Sequence, residues 1–438
     1  MTVSRHRRRM STTRALIASL VGVGLALILG VAGAVAIYNT KDGQVQGSDT
    51  PEVQFPVTPT GAIAVVGPGG TLASLAVVTV RPTEGGDEPG TGGTLVPVPV
   101  SADASGGIGT ERLPLDETVG LFGTESLSDE IPALLGVSID DVAALTELEL
   151  ATALADLGAI EVTLPEAVTS SDGSVLVDVG VRSIDAATAA AILANRESSL
   201  SGAEDYEIDV AVWSGIASAV GDGLGTPMQI GEGTGPGSLL DTFGRLTSGP
   251  MAVQTIRFEP IASVDLNPRG VDALVLDRVD VAVLFGHVAP ARVAAPYAGY
   301  TYRVVSAFGD AQLPSGIARV DVAYTAVKAV LATESNVRSV DTTADEAPAA
   351  TRIEVADDSL LAAAERLADV FGPVEARVAG TRIAGIDIVV TLGTDYLATL
   401  DNDAADGTTA TDGSTPGGTV EVDIPITEGT DMTAEGTS

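Results

Sequence analysis

The 438-residue chain contains no cysteine. Disulfides, thiolate nucleophiles, iron–sulfur clusters and cysteine-bound zinc are therefore excluded. Lysine is almost missing, with Lys41 and Lys328 alone. Neither stands in a motif that would make it a phosphate-loop or Schiff-base lysine. Histidine is limited to His6 and His287, so a histidine-based triad or metal site past the N-terminal segment would rest on His287 alone. Aromatic residues make up only 3 %, against 45 % hydrophobic residues overall, so the cores have to be built from Val, Leu, Ile and Ala. No acid precedes Asp42, and no base follows residue 396.

What is present begins with charge. Of the 23 basic residues, six lie at or before Lys41, which leaves 17 against 59 acids, a balance of −42 for the remainder. A surface this negative repels nucleic acids and other polyanions, so no nucleic-acid partner is expected. The basic residues at the start are Arg5, Arg7, Arg8, Arg9 and Arg14, and residues 15–38 that follow carry no charge. Twenty-four residues of helix span roughly 36 Å, enough to cross a hydrocarbon core of about 30 Å. The basic flank keeps the N-terminus cytoplasmic. The expectation is a single-pass protein of the cell membrane: a cytoplasmic basic segment over 1–14, a transmembrane helix over 15–38, a linker over 39–60, and the bulk outside the cytoplasm. A cleaved signal peptide is the alternative. Against it, the apolar run is long for such a peptide and no clean Ala-x-Ala site follows.

Past the Pro-bearing linker, the pattern reads as alternating strands and helices, which argues an α/β fold. Ala62-Ile63-Ala64-Val65-Val66 and Leu75-Ala76-Val77-Val78-Thr79-Val80 read as strands. Pro97 and Pro99 demote the run over 94–100 to an edge or broken strand, after a Gly-rich loop over 84–93. A helix is expected over 126–135, kinked or delayed by Pro132. Thr146 and Glu149 form a capping box for a helix that Gly158 stops. A strand over 159–164 precedes a helix over 186–195 capped by Asp185, and another helix is expected over 209–220. Residues 221–250 read as a loop, and 253–258 as a strand. Strands are expected over 302–305, 352–355 and 386–392. Leu360, Ala364, Leu367 and Phe371 recur at helical spacing behind Ser359, which makes the last unit a small β-α-β module. Residues 397–438, acidic and rich in Gly and Thr, read as a disordered tail.

With the basic-flanked anchor in front, Leu134-Leu135-Gly136-Val137-Ser138-Ile139-Asp140-Asp141-Val142, followed by 148–158 and by Ala159-Ile160-Glu161-Val162-Thr163, resembles the LytR-CpsA-Psr family. The segment 351–396, closing on Leu392-Gly393-Thr394-Asp395, resembles the LytR C-terminal domain. The resemblance covers 61–296 for an α/β sheet domain and 300–396 for a smaller α/β domain. It implies enzymes that move wall glycopolymers from a polyprenyl-pyrophosphate carrier to peptidoglycan, with clustered arginines on the pyrophosphate and acidic residues holding Mg²⁺. Arginine forks and a hard cation suit the concentrated charge of a pyrophosphate. This chain departs from that pattern. The family's arginines before the first core strand, at the end of the next strand and before the long helix correspond to 68–74, 97–103 and 206–213, and none of these holds an arginine.

Arg196, in Ala194-Asn195-Arg196, is the one position that matches a family arginine, and it is the candidate phosphate-binding and catalytic residue. At a helix end it also suits the helix dipole. Asp103 and Asp116 are the candidate Mg²⁺ ligands, although loop aspartates on an acidic protein are mostly solvated. Asp140-Asp141 reads as a capping turn, His287 as a packed or surface histidine, and Trp213 as core. Arg112 and Arg182 match nothing in the family. The Gly-rich loops 67–70 and 221–225 lack the Lys-Ser/Thr of a phosphate cradle. The reading is a non-catalytic binding or scaffolding protein of cell-envelope assembly with no resident cofactor. Its partners would be the membrane, a polyprenyl-phosphate lipid or cell-wall proteins. The alternatives are an active glycopolymer transferase, which would need Mg²⁺, and a plain protein-interaction module.

Overall fold

Gly61, Ala62, Ile63, Ala64 and Val65 follow one another along the first core strand, and all are buried. A strand apolar on both faces has to lie inside a sheet covered twice. The computed structural model, which describes residues 51–406 apart from 84–88, 107–110, 171–172, 196–199, 232–236, 264 and 344–345, has that arrangement. The expected membrane segment 15–38, Arg196 and residues 407–438 lie outside the described residues. Among those described, no helix is long and apolar enough to cross a membrane.

The first half runs β1 (Thr60–Val66), β2 (Leu72–Pro82), β3 (Pro89–Pro97), α1 (Leu115–Phe122), α2 (Leu127–Leu135), β4 (Asp141–Thr146) and α3 (Glu147–Leu154). It continues with β5 (Ile160–Leu164), β6 (Gly180–Ile184), α4 (Ala186–Leu193), α5 (Gly202–Val220), α6 (Leu239–Thr247), β7 (Met251–Val253) and α7 (Arg278–Val288). The main sheet has the order β7-β3-β2-β1-β4. β1, β2 and β3 form an antiparallel meander, while β4 joins β1 and β7 joins β3 in parallel. Ile63, Val65, Ala76 and Val78 face a core with Leu150, Leu193, Trp213 and Phe243. Ala62, Ala64, Leu75 and Val77 face a second core with Leu115, Ile131 and Phe285.

β3 is not an edge strand, but the run over 94–100 does break at Pro97, the other outcome that its prolines allowed. β7 covers its outer side, with Ala252 opposite Thr94. Pro89 and Pro97 stand at the two ends of β3, so the ladder between them keeps its amide donors. The Gly-rich loop ends earlier than 93 because Pro89–Gly93 already belong to the strand. A Cβ at Gly93 would lie 2.0 Å from the Thr79 carbonyl, which makes glycine a packing requirement there.

The helix caps follow the sequence closely. The Thr146 hydroxyl accepts from the Glu149 amide, and the Glu149 carboxylate accepts from the Thr146 amide at 2.8 Å. The Asp185 carboxylate accepts from the Thr188 amide at 2.8 Å. α5 starts at Gly202, ahead of the expected 209, because Ser201 and Glu204 form a second capping box. Pro132 sits within α2 without ending it. The expected loop over 221–250 contains α6: Ser238 caps it, and Leu239, Phe243 and Leu246 recur at i, i+4 and i+7 and are buried. The expected strand over 253–258 is instead two short ones, Met251–Val253 and Phe258–Pro260, and the latter pairs with Leu274–Leu276. β4 and its pairing to β1 cover residues that the sequence reading took as a turn and a helix cap.

The second half runs β8 (Thr301–Val305), α8 (Arg319–Leu331), β9 (Asn336–Asp341), β10 (Thr351–Val355), α9 (Leu361–Arg366), α10 (Ala368–Phe371), β11 (Val374–Val378), β12 (Ile388–Thr391) and α11 (Thr394–Asp406). Its sheet has the order β9-β8-β12-β10-β11. β12 is central, as its apolar run implies, but it is antiparallel to β10. The strand that completes the β-α-β crossover from β10 is β11, which pairs with it in parallel. α11 continues to Asp406, so residues 397–406 are helical where a disordered tail was expected. Both sheets lie within one compact unit. α7 joins them: Val281 and Phe285 enter a core of the first sheet, and Val283 enters the core of the second.

Candidate functional site

Beyond Pro97 the chain leaves β3 and is pinned at successive backbone points. The Leu274 amide donates to the Ser101 carbonyl at 2.9 Å, and the Asp103 amide donates to the Leu274 carbonyl at 2.8 Å. The Leu115 amide donates to the Ala102 carbonyl at 3.0 Å. Asp103 is thereby held past the carboxyl end of a sheet strand, the place where α/β folds commonly build sites.

Asp103 does not face open solvent. One Arg112 Nη1 donates to its Oδ2 at 3.0 Å, and its Oδ1 accepts from the Ser105 and Leu113 amides at 3.1 and 3.2 Å. The two side chains are 7 % and 4 % exposed. Arg112 Nε donates to the Leu266 carbonyl at 2.7 Å. Arg269 Nη2 donates to the Arg112 carbonyl at 2.8 Å and to the Glu117 carboxylate at 2.6 Å. Buried Asn267 closes the loop, donating to the Val271 carbonyl at 2.7 Å. At the positive end of α5 the Gly202 amide donates to the Asp272 carboxylate. A Cβ on Gly202 would meet the Ser101 hydroxyl at 2.0 Å, so the close approach requires glycine. The buried Ser101 and Ser105 hydroxyl oxygens have no partner among the described residues.

The chemistry of this arrangement is self-contained. Each cation at the end of β3 already holds a carboxylate of the same chain, and the N-terminus of α5 holds Asp272 where an external anion would bind. Asp103 does not fit a Mg²⁺ ligand, because the Arg112 guanidinium occupies one oxygen and amides the other. Asp116 belongs to the first turn of α1, where its Oδ1 accepts from the Glu117 amide at 2.9 Å. Among the described residues no group of three or more His, Asp or Glu is placed to hold a metal ion.

The other residues singled out in the sequence fall in separate places. Asp140 accepts from Arg292 Nη2 at 2.6 Å and from the Thr60 amide at 3.0 Å, locking the start of β1. Asp141 accepts from the Leu239 amide at 2.9 Å, anchoring α6. His287 is exposed in the last turn of α7, where a cation favours the helix dipole. Arg182 is exposed on β6. Trp213 is core: it is fully buried and donates its indole N–H to the Ser74 hydroxyl at 3.2 Å. Gly67 begins the β1–β2 turn, its amide donating to the Thr71 carbonyl. A pocket between sheet and helices, lined by Ala73, Ile192, Asn195 and Asp209 among others, has a volume of about 10 Å³, room for one water molecule. The sequence reading missed the roles of Arg112 and Asp272. Their partners lie across loops, and no periodic signal announces such pairs.

Two buried or hydrogen-bonded tyrosines are also shifted upward. Desolvation pushes the Tyr206 hydroxyl far above its ordinary value, although it accepts from the Ile256 amide at 3.1 Å. Tyr324 is pushed up to about 12, chiefly because it donates to the Asp277 carboxylate. Both stay neutral donors at physiological pH, which is a structural role and not that of a base.

No family model matches this chain, and no curated protein sequence does. Among solved structures, the LytR-Csp2A-Psr enzyme from Actinomyces oris aligns over 54% of this chain and 96% of its own, at 17% identity and a TM-score of 0.37. TagT of B. subtilis aligns over 51% of this chain and 86% of its own, at 16% identity and a TM-score of 0.35. A putative transcription regulator from Eubacterium siraeum aligns over 51% and 88%, at 12% identity and a TM-score of 0.37. Scores this low assign neither an activity nor a site.

Proposed function

We propose that this chain is a membrane-anchored, extracytoplasmic protein of cell-envelope assembly that binds or scaffolds and does not transfer glycopolymer. The reading draws on the basic-flanked apolar segment 15–38 and on the likeness of 134–163 to LytR-CpsA-Psr sequences. The observation that carries the non-catalytic part is the pairing of Arg112 with Asp103. An arginine that serves a pyrophosphate must offer its fork to the ligand. Arg112 can do so only by abandoning a carboxylate that is itself buried, and breaking such a pair costs about 3–5 kcal/mol. Apart from Arg196, the positions where the family keeps its arginines hold none here, and Arg112 stands at none of them. A polyprenyl-phosphate lipid or a protein of the cell wall is the partner this reading favours, with the membrane as the common platform.

The test uses the full-length chain in detergent, with a polyprenyl pyrophosphate as probe, with and without Mg²⁺. Binding without phosphate release supports the scaffold. Release of phosphate that disappears in Arg196→Ala overturns it in favour of the transferase. Absence of binding under both conditions removes the lipid and leaves a protein-interaction role.

A further inference from the structure

β11 is the last strand of the second sheet and pairs on one side only, in parallel with β10. All five of its residues, Val374–Val378, are extended strand, and none has a positive φ. The Ala379 amide donates to the Val355 carbonyl at 2.9 Å. Backbone groups alternate in direction along a strand, so 375, 377 and 379 point theirs at β10 while 374, 376 and 378 point theirs outward. Among the described residues no backbone hydrogen bond meets that outer side. The opposite edge of the sheet is covered, since a Cβ on Gly286 of α7 would sit 3.1 Å from the Val340 nitrogen of β9. β11 is also open to solvent at its side chains: Glu375 is 71 % exposed, Arg377 64 % and Val378 44 %. An unpaired edge of this kind is a template for another strand.

We infer that β11 is a self-association edge, and that its occupant is β11 of a second copy of this chain, antiparallel about a two-fold axis at Ala376. The strand reads Val374-Glu375-Ala376-Arg377-Val378, which is its own complement under that rotation. Val374 meets Val378, Glu375 meets Arg377 and Ala376 meets itself, and a two-fold contact requires such reciprocity. The outward backbone groups of 374, 376 and 378 face one another in this register and form the hydrogen-bonded pairs. Residues 375 and 377 are then the closer, non-hydrogen-bonded pairs. The charges of the neighbouring strand extend the match. Glu375 lies opposite Arg352 on β10, with 3.9 Å between the charged groups, and Arg377 lies opposite Glu354, at 2.6 Å. Across the axis the order becomes Arg352, Glu375, Arg377, Glu354, the last two from the second copy, so opposite signs alternate over four strands. This patch is charge-balanced in a chain of 59 acids and 23 bases, whose remaining surface drives copies apart. A contact of five residues a side is smaller than a stable dimer interface, so the association is weak, with a dissociation constant of about 10–100 µM. The inference is independent of the lipid reading above.

Sedimentation velocity of the full-length chain in density-matched detergent, over about 1–200 µM, tests it. The wild type passes from monomer to dimer across that range. Arg377→Glu sets acids opposite each other twice, and Glu375→Arg sets bases opposite each other twice, so each variant alone associates about tenfold more weakly. Mixed together, the two variants are complementary and associate as readily as the wild type does. Both positions are exposed, and near-UV circular dichroism checks that each variant keeps its packing. A wild type that stays monomeric, or a mixture that associates no better than either variant alone, overturns the proposal. The register has its own check, because the chain lacks cysteine. Glu375→Cys and Arg377→Cys chains mixed together place two thiols opposite each other and keep the second Glu–Arg pair. The mixture therefore forms an oxidised cross-link far more readily than either variant alone. Equal cross-linking in the three samples overturns the axis at Ala376.

Discussion

Along β1 and β2 buried residues follow one another without a break, from Thr60 to Val65 and from Leu72 to Val80. Along β8, β10 and β12 they alternate with half-exposed or exposed ones. The first sheet is covered twice and the second largely once. The same contrast separates two ion pairs of good geometry. Arg377 meets Glu354 at 2.6 Å on the second sheet, with side chains 64 % and 30 % exposed. Arg112 meets Asp103 at the longer distance of 3.0 Å beside the first sheet, almost without exposure. Water screens the shorter pair and leaves the longer one to act in a low-dielectric surrounding. Distance alone would rank the two in the wrong order.

That ranking can be broken or sharpened by mutation. The largest loss is expected for Trp213→Ala, which empties a site between sheet and α5 and strands the Ser74 hydroxyl. The cost is about 3–5 kcal/mol in urea unfolding, while Val389→Ala on the half-covered face of β12 costs about 1 kcal/mol or less. Equal losses would abolish the distinction between the sheets. Next, Asp103→Ala leaves a buried unpaired guanidinium and costs about 3–5 kcal/mol, whereas Asp103→Leu with Arg112→Met recovers most of the loss. Recovery would identify the pair as a packing element, in line with a site that does no chemistry. Glu354→Ala should cost about 0.5 kcal/mol or less, read as a shift of the thermal midpoint that shrinks further in salt.

The smallest effect is confined to acid pH. Burial alone would raise Asp341, but the Thr343 hydroxyl and amide and the Arg303 guanidinium at 2.8 Å together outweigh it and hold the carboxyl below its ordinary value. A depressed carboxyl contributes stability that is fully present above the unfolded value, about 3.9, and is lost as pH falls through the folded one. Asp341→Asn should therefore unfold with a shallower pH dependence below about pH 4, and with no change of slope near neutrality. An unchanged acid limb would mean that Asp341 is already solvated.

The elements that could be read from the sequence are those whose signal is local. The Thr146–Glu149 box, the Asp185 cap and the unbroken apolar run of β1 each contain their own cause. The misreadings arose where composition spoke against pattern. Gly and Ser around 221–250 hid the i, i+4, i+7 stripe of α6, and the prolines of β3 hid a paired strand because their position at its ends cannot be seen without its partners. The sequence reading assigns no element between Val305 and Arg352. There α8 is rich in valine, a weak helix former, yet Val322, Ala326, Val327 and Val330 keep helical spacing and are buried. The candidate site was the least legible. Asp103 stood out as a loop carboxylate, but its backbone is pinned to Leu274 and its partner Arg112 is held by a side-chain bond to the Leu266 carbonyl, both far along the chain.

α7 carries a consequence for inheritance. It belongs by sequence to the first half, yet it places Val283 in the second core and brings Gly286 so near Val340 that a Cβ there would sit 3.1 Å from it. A recombination event with its seam near residue 297 would hand the recipient a C-terminal sheet stripped of one wall and leave the donor with bare valines on a helix. Genes exchanging this half must exchange the helix with it. A seam ahead of residue 278 would in turn take Val281 and Phe285 out of the first core, so α7 ties the two halves into one unit of inheritance.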